Sequence, residues 1–302
     1  MRQSIRESGL AEVGAAVTSI VEESGLSTRF IAVAIRPAGV IGLAFVTLIL
    51  STAILAPLLA TVDPFSLSGP PLAAPSSVHF MGTDALGRDL FSGVLYGTRT
   101  SLLIATAVSL LALVCGVPVG LVAGARGGVI DDLLMRGTEL FQVLPRFFLV
   151  AVTVALFGPG IDRVVLTLGL TSWPVLARVV RGEVVALRNL EFVLAARALG
   201  ASRSHILGAV ILPQVIPSIV IMIGLMFGQV LLIEASLGFL GLGDPNTVTW
   251  GMLAGQAQGY LRSAWWLALF PGLAITITVL GFNLLADAIS SELHARSIGG
   301  TT

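Results

Sequence analysis

The chain has 302 residues, of which 55% are hydrophobic and 11% are charged, and its mean hydropathy is +0.96. This composition excludes an ordinary soluble globular protein and indicates a chain that crosses a membrane several times. The formal net charge of zero argues against nucleic-acid binding, which needs a strongly basic surface.

Residue types that are missing or rare exclude several kinds of site. All 17 basic side chains are arginine, and since a Walker A loop uses a lysine to hold phosphates, the chain is predicted to carry no standard ATP site. The single cysteine, Cys115, excludes an intrachain disulfide. The three histidines lie far apart in the sequence, which predicts no metal site. No cofactor is therefore expected in this chain.

A proline-rich stretch separates the first two predicted spans. Residues 1–36 are mixed in polarity, which leaves two alternatives, a cytoplasmic N-terminal tail or an interfacial helix. Residues 37–62 carry no charge and exceed the roughly 20 residues that a helix needs to cross the hydrocarbon, so they are predicted to form the first span. The prolines of residues 63–99 predict an external connector, and the charge-free residues 100–125 predict the second span.

Four further spans follow, and small residues in span two are predicted to let helices pack closely. The remaining spans are assigned to residues 133–157, 162–180, 206–240 and 263–286. Span five is too long for one perpendicular helix, so Pro213 and Pro217 predict a kink or a separate entry helix. Aromatic and polar residues predict an external scoop over residues 242–262, and a C-terminal tail is predicted over residues 290–302. The close packing is assigned to Gly116, Gly120 and Gly124.

Between spans four and five lies a polar stretch, residues 188–205, which we call the basic segment. Its three arginines, Arg188, Arg197 and Arg203, outnumber its one acid, Glu191. The positive-inside rule therefore places it in the cytoplasm together with both termini. The fold class predicted from these features is an all-α polytopic membrane protein with six transmembrane helices.

Two short helical patterns meet at Gly200, within the basic segment. On the N-terminal side, Phe192, Val193, Ala196 and Leu199 are predicted to share an apolar face, and Gly200 is a natural break after them. Two interpretations stay open at this point. The helix could rest on lipid headgroups, or it could be available to a soluble partner.

The sequence of this stretch resembles the EAA loop of ABC-importer permeases. In that loop an Ala-Ala pair precedes a Gly by four residues, and an Ile and a Leu-Pro pair follow. The matching residues are Ala195, Ala196, Gly200, Ile206, Leu212 and Pro213. The family places a Glu directly before the Ala pair, where this chain has Leu194.

A second stretch, residues 79–101, resembles the signature of the C-type permease subunit of dipeptide, oligopeptide and nickel ABC importers. The residues that match its core are Gly82, Thr83, Asp84, Gly87, Arg88 and Asp89, followed by Tyr96, Gly97, Arg99 and Ser101. Without the family, these residues indicate a turn in which Asp84 or Asp89 bonds nearby backbone amides or Arg88. Residues 234–243 and the pair Trp250-Gly251 match two further family segments.

The resemblance implies a permease core over residues 100–289 and a transporter subunit of the plasma or inner membrane that is not an enzyme. It implies a second homologous permease, an extracytoplasmic binding protein, and separate cytoplasmic ATPases that bind ATP and Mg²⁺. The implied substrates are short peptides, with nickel or another small ligand as the alternative. The basic segment would be the coupling helix that docks on the ATPase, through Glu191, Ala195, Ala196, Arg197, Gly200, Ala201 and Ser202.

Two polar residues of span five are candidates for the substrate path. Glu234 is a charge deep in an apolar run, and buried carboxylates in membranes are costly and often functional. It could instead cap a helix or pair with an arginine near the outer boundary. Gln229 lies on the same span. The competing class, an ion-coupled secondary transporter, would need several intramembrane acids and related halves.

Overall fold

The computed structural model describes residues 37–143 and 145–299, with side chains up to residue 291. Within these ranges the chain is helical, and its only β-type pairings are the bridges Leu67–Arg88 and Thr83–Asp89. Five helices are long and apolar enough to cross a membrane, and a bent helix pair makes up to six. The predicted all-α polytopic fold is confirmed. The predicted tail or interfacial helix of residues 1–36 lies outside the described residues.

The helices are numbered in chain order. They are α1 (Pro37–Leu59), α2 (Leu90–Arg126), α3 (Gly128–Gln142), α4 (Arg146–Phe157), α5 (Ile161–Leu187), α6 (Glu191–Ala198), α7 (Arg203–Phe239), α8 (Trp250–Gln256) and α9 (Trp266–Gly299). Within α7, residues Ile206–Ile211 form a π-helical segment, and a 3₁₀ turn, Ala257–Tyr260, follows α8. The helices long enough to span a membrane are α1, α2, α5, α7 and α9.

Several helices extend past the predicted spans, because a charge does not end a helix. The second span was predicted from residue 100, but α2 begins at Leu90 and carries Arg99 on its exposed surface. The non-helical connector is correspondingly shorter than the predicted 63–99. At the other end of the chain, α9 continues to Gly299, through most of the predicted tail 290–302. Each helix continues past its apolar stretch because the backbone N–H groups there still donate to carbonyls of the preceding turn.

Two of the predicted spans contain prolines and depart from a single regular α-helix. Residues 133–157 were predicted as one span, but α3 and α4 meet at a 65° bend, with Pro145 as the residue that precedes α4. The proline fixes its own backbone and disfavours helix just before it. In α7, where a kink or a separate entry helix was predicted, a π-helical segment ends two residues before Pro213 and the helix continues. A π turn accommodates local disruption of the helical hydrogen-bond ladder without breaking the helix.

The centre of the fold is a close pair of helices, α2 and α5. A Cβ added at Gly116 would lie 2.8 Å from the carbonyl oxygen of Trp173, and one at Gly120 would lie 2.5 Å from that of Ala177. These glycines therefore let the two backbones approach, as predicted. Large apolar side chains on α1, such as Ile54 and Leu58, are exposed, as expected for a surface that faces lipid.

Candidate functional site

The two ends of the helix bundle differ in what they carry. Helix α2 has 37 residues, and at 1.5 Å per residue it is about 55 Å long. Its start packs against α8, while its end lies beside Arg188. We call the first end, with the connector and residues 242–262, the connector end. The opposite end, which carries the basic segment, is the coupling end.

Helix α6 of the basic segment lies on the bundle through very few side chains. Val193 is fully buried, and Ala196 is partly buried against the same core cluster. Phe192 and Leu199 were predicted to share that face, but they are 44% and 52% exposed. Only Val193 and Ala196, three residues apart on one side of α6, contact the bundle.

The predicted break at Gly200 is confirmed as a helix C-terminal turn. Gly200 has a φ of +86°, a left-handed conformation that glycine adopts without strain. The N–H of Gly200 donates to the carbonyl of Arg197 at 3.0 Å, and the N–H of Ala201 donates to that of Ala196 at 3.1 Å. Ser202 then caps α7, since its Oγ accepts from the N–H of His205 at 3.3 Å. The chain thus leaves α6 and enters α7 within four residues.

The basic segment presents most of the predicted docking residues to the outside. Glu191, Ala195, Arg197, Gly200 and Ser202 are exposed, while Ala196 and Ala201 are half-buried. Within the described residues, neither Glu191 nor Arg197 forms an ion pair. The surface therefore consists of small side chains flanked by charges without partners, which suits contact with another protein and offers no reactive group.

At the connector end, the motif residues before α2 stabilise the connector through hydrogen bonds to its backbone. The Asp84 carboxylate accepts from the N–H groups of Leu86 and Arg88, both at 2.8 Å. The Thr83 hydroxyl donates to the carbonyl of Pro70 at 2.6 Å and accepts from the N–H of Ala73 at 2.8 Å. The structural interpretation of these residues is confirmed, and the partners of Asp84 are backbone amides.

Two motif glycines are required by the same turn. Gly82 and Gly87 have φ values of +79° and +83°. A Cβ on Gly87 would lie 2.3 Å from the carbonyl oxygen of Gly69, so only glycine fits there. The neighbouring Arg88 guanidinium lies 5.3 Å from the centroid of the Phe65 ring, a cation–π contact.

Asp89 is the N-cap of α2 and the centre of a buried polar cluster. Its carboxylate accepts from the N–H of Ser92 at 2.9 Å and from the Thr61 hydroxyl at 3.2 Å. It also lies 3.0 Å from Nδ1 of His79. Burial alone would raise the pKa of Asp89, but the hydrogen bonds from Ser92, His79 and Thr61 outweigh it and hold the pKa below its ordinary value.

The two candidate path residues of α7 lie on different faces. Glu234 is only 6% exposed and is enclosed between α7, α2 and α8. Its carboxylate accepts from the Ser101 hydroxyl at 3.4 Å, and Ser101 Oγ accepts from the N–H of Trp250 at 3.2 Å. Gln229 is exposed. The suggested pairing of Glu234 with an arginine was wrong, since its partner is a hydroxyl from a neighbouring helix.

The sequence did not predict two polar contacts at the coupling end, which join α5 to α3 and the residue after α5 to α2. Arg181 forms a bidentate pair with Asp131, with Nη2 at 2.7 Å from Oδ2. Arg188 donates to the carbonyl of Gly124 at 2.8 Å. The signal that could have found the first pair is one charge of each sign near the ends of two apolar segments.

Comparisons with known proteins agree on one type of chain. Residues 116–297 match the family model described as the binding-protein-dependent transport system inner membrane component. The chain is 36% identical over 260 residues to a dipeptide transport system permease protein of Alkalihalophilus pseudofirmus, which covers 85% of each chain. It is 39% identical over 223 residues to a glutathione transport system permease protein of Pectobacterium atrosepticum, covering 74% of each.

The fold also matches a solved structure. A chain of the MetNI methionine ABC transporter, in an inward-facing conformation, superposes with a TM-score of 0.56 and 21% sequence identity. The match covers 66% of this chain and 95% of that chain. At this identity the likeness speaks for the fold alone.

Proposed function

Because the chain belongs to the family of binding-protein-dependent transport system inner membrane components, we propose that it forms half of the pore of an ATP-driven peptide importer. Membership in this family makes the chain an inner-membrane transport permease. The other half of the pore would come from a second, homologous permease. An extracytoplasmic binding protein would deliver the substrate to the connector end, which includes residues 242–262.

Energy would enter from cytoplasmic ATPase subunits that bind ATP and Mg²⁺. The absence of lysine from the chain supports this division of labour, since a P-loop needs a lysine. ATP binding and hydrolysis in the partners would shift the pore between inward and outward states. The role of this chain is then to transmit a conformational preference, with no chemistry of its own.

The observation that carries the proposal is the exposed basic segment. Its helix α6 is held on the bundle by Val193 and leaves Ala195 and Gly200 uncovered. Small side chains allow a helix to lie deep in a groove of a partner, which is a common mode of helix recognition. We infer that this surface fits an ATPase groove by shape.

The substrate class rests on the named relatives. One is a dipeptide permease and another is a glutathione permease, so both names refer to short peptides. They favour peptides over the nickel alternative. An ion-coupled secondary transporter gains no support from Glu234, whose carboxylate is enclosed and bonded to Ser101.

A bulky side chain on the docking surface tests the proposal. Ala195 is exposed and helical, so Ala195→Trp adds bulk without straining the backbone. We expect the ATPase to be lost when the transporter is purified, and ATP-driven uptake of a labelled dipeptide to fall at least about 30-fold, as for loss of an interface hot spot. A substitution at Gly200 would be less clean, because its φ of +86° is itself required.

The matched control is Gly259→Trp, which adds the same side chain in open space at the connector end. It should keep the ATPase bound. Normal uptake and full ATPase retention in Ala195→Trp would contradict docking through α6. Equal loss of the ATPase from both variants would assign the effect to general instability instead.

A further inference from the structure

A large cavity opens at the coupling end, behind the basic segment. Its volume is about 1260 Å³, and it lies between the end of α2, the start of α3 and the start of α7. Its walls carry four arginines and no acidic residue within the described part of the chain. The arginines are Arg126, Arg188, Arg197 and Arg203.

Three of the four arginines of this cavity have no acidic partner among the described residues, and Arg188 interacts with Asp131 electrostatically without forming an ion pair. Arg188 donates to a backbone carbonyl, that of Gly124, which carries no net charge. The side chains of Arg126, Arg197 and Arg203 make neither a hydrogen bond nor an ion pair within the described residues. The nearby acid Asp131 is engaged by Arg181. Guanidinium groups gathered in this way are suited to bind phosphate oxygens.

The rest of the cavity wall is apolar. Val122 and Ile130 line it from α2 and α3, while Ile206 and Ile211 line it from α7. A small inorganic anion would leave this apolar wall in contact with water. A ligand with a phosphate and a hydrocarbon chain would cover both parts of the cavity. Because α2 and α7 are long and apolar enough to span a membrane and Arg126 and Arg203 are their terminal residues, we expect the cavity at the depth of the lipid headgroups.

We propose that this cavity is a binding site for an anionic phospholipid. Arg126, Arg197 and Arg203 would hold the phosphate, and the part of the acyl chains nearest the headgroup would lie against the apolar wall. Basic pockets between membrane helices on the cytoplasmic side are suited to such headgroups. The lipid would lie directly behind the basic segment and fix its position relative to α2. Arg197 is shared with the proposed docking surface, so the lipid site is tested through Arg126 and Arg203, which are not among the proposed docking residues.

The test measures lipid retention by the purified full chain. The protein is titrated in detergent with phosphatidylglycerol or with phosphatidylcholine of the same acyl chains, and native mass spectrometry counts the bound lipids. Wild-type protein should retain phosphatidylglycerol and not phosphatidylcholine. In the double variant Arg126→Gln/Arg203→Gln, each lost charge should weaken retention about fivefold, and both together about 30-fold.

The control removes two exposed arginines from the connector end, as Arg99→Gln/Arg262→Gln, and should retain phosphatidylglycerol like wild type. Equal retention by the wild type and the Arg126/Arg203 variant would overturn the proposal. If inorganic phosphate displaced all of the bound lipid, the proposed role of the apolar wall would be overturned. Loss of the lipid on addition of ATPase subunits would assign the arginines to the protein partner and would also overturn it.

Discussion

The connector end and the coupling end treat their charged groups in opposite ways. At the connector end, Asp84, Asp89 and Glu234 are buried, and each accepts hydrogen bonds from other groups of the chain. At the coupling end, Arg126 and Arg197 are exposed and have no partner within the described residues. The first end buries carboxylates and satisfies them within the chain, whereas the second, apart from the Arg181–Asp131 pair, leaves arginines available to other molecules.

The glycines show the same contrast. At the connector end, added Cβ atoms at Gly238 and Gly251 would approach backbone atoms to 2.4 Å and 2.8 Å. At the coupling end, Gly200 and Gly208 have nothing within 4 Å of that position. Tight packing therefore fixes α8 against the end of α7, while the basic segment and the start of α7 keep free surface. Substitutions should affect stability at one end and association at the other.

The largest expected effect comes from Gly238→Ala. Its Cβ would lie 2.4 Å from the carbonyl carbon of Gly251, and backbone cannot move aside as a side chain can. We expect the free energy of unfolding to fall by about 3 kcal/mol, at the upper end for overpacking. Thermal unfolding in detergent measures this. Gly208→Ala, at the open coupling end, should change it by no more than about 0.5 kcal/mol; similar losses in both variants would remove the contrast.

The second effect concerns the cap of α2. Asp89→Asn removes a charge that accepts hydrogen bonds from Ser92, Thr61 and His79. Asn caps a helix about as well as Asp, so the loss comes from the charge-assisted hydrogen bonds, and we expect about 1 to 2 kcal/mol in the free energy of unfolding near neutral pH. Chemical unfolding at fixed detergent concentration measures the loss. No change in stability would contradict a structural role for this motif.

The stability difference between the wild type and Asp89→Asn should depend on pH in a defined direction. The folded-state pKa of Asp89 lies below its ordinary value of 3.8. The stabilisation is therefore fully present above that value and is lost as the pH falls through the lower, folded-state pKa. As the pH falls below about 3.8, the stability difference between wild type and Asp89→Asn should therefore shrink. A difference that grows on acidification would reverse the assigned direction.

The third effect tests Glu234 at the connector end. In Glu234→Gln the amide oxygen can still accept from the Ser101 hydroxyl. The free energy of unfolding should fall by no more than about 1 kcal/mol. Uptake of peptides of different charge should keep its wild-type order of rates, since the carboxylate is enclosed by α2 and α8. A changed charge preference among substrates would return Glu234 to the transport path.

The sequence predicted what depends on local chemistry and composition. Charge-free runs located the spans, and Gly200 and the Asp89 motif were correctly interpreted as turn and cap. It missed contacts between residues that are distant in the chain, such as Arg181 with Asp131 and Ser101 with Glu234. These pairs depend on how helices pack side by side, and helical periodicity says nothing about which helix is the neighbour. Helix ends were missed for the related reason that charges outside the hydrocarbon do not stop a helix.

The smallest effect sharpens the claim about the coupling end. Leu194 stands where related loops place a Glu, and it is 46% exposed. Leu194→Glu adds a carboxylate three residues before Arg197, so a helical pair worth about 0.3 kcal/mol can form, and the free energy of unfolding should change by less than about 0.5 kcal/mol. If docking depends on the shape of small residues such as Ala195, ATPase retention should change by no more than about twofold. Retention that rises tenfold or more would mean that the partner reads a charge at this position, and the shape argument would then give way to an electrostatic one.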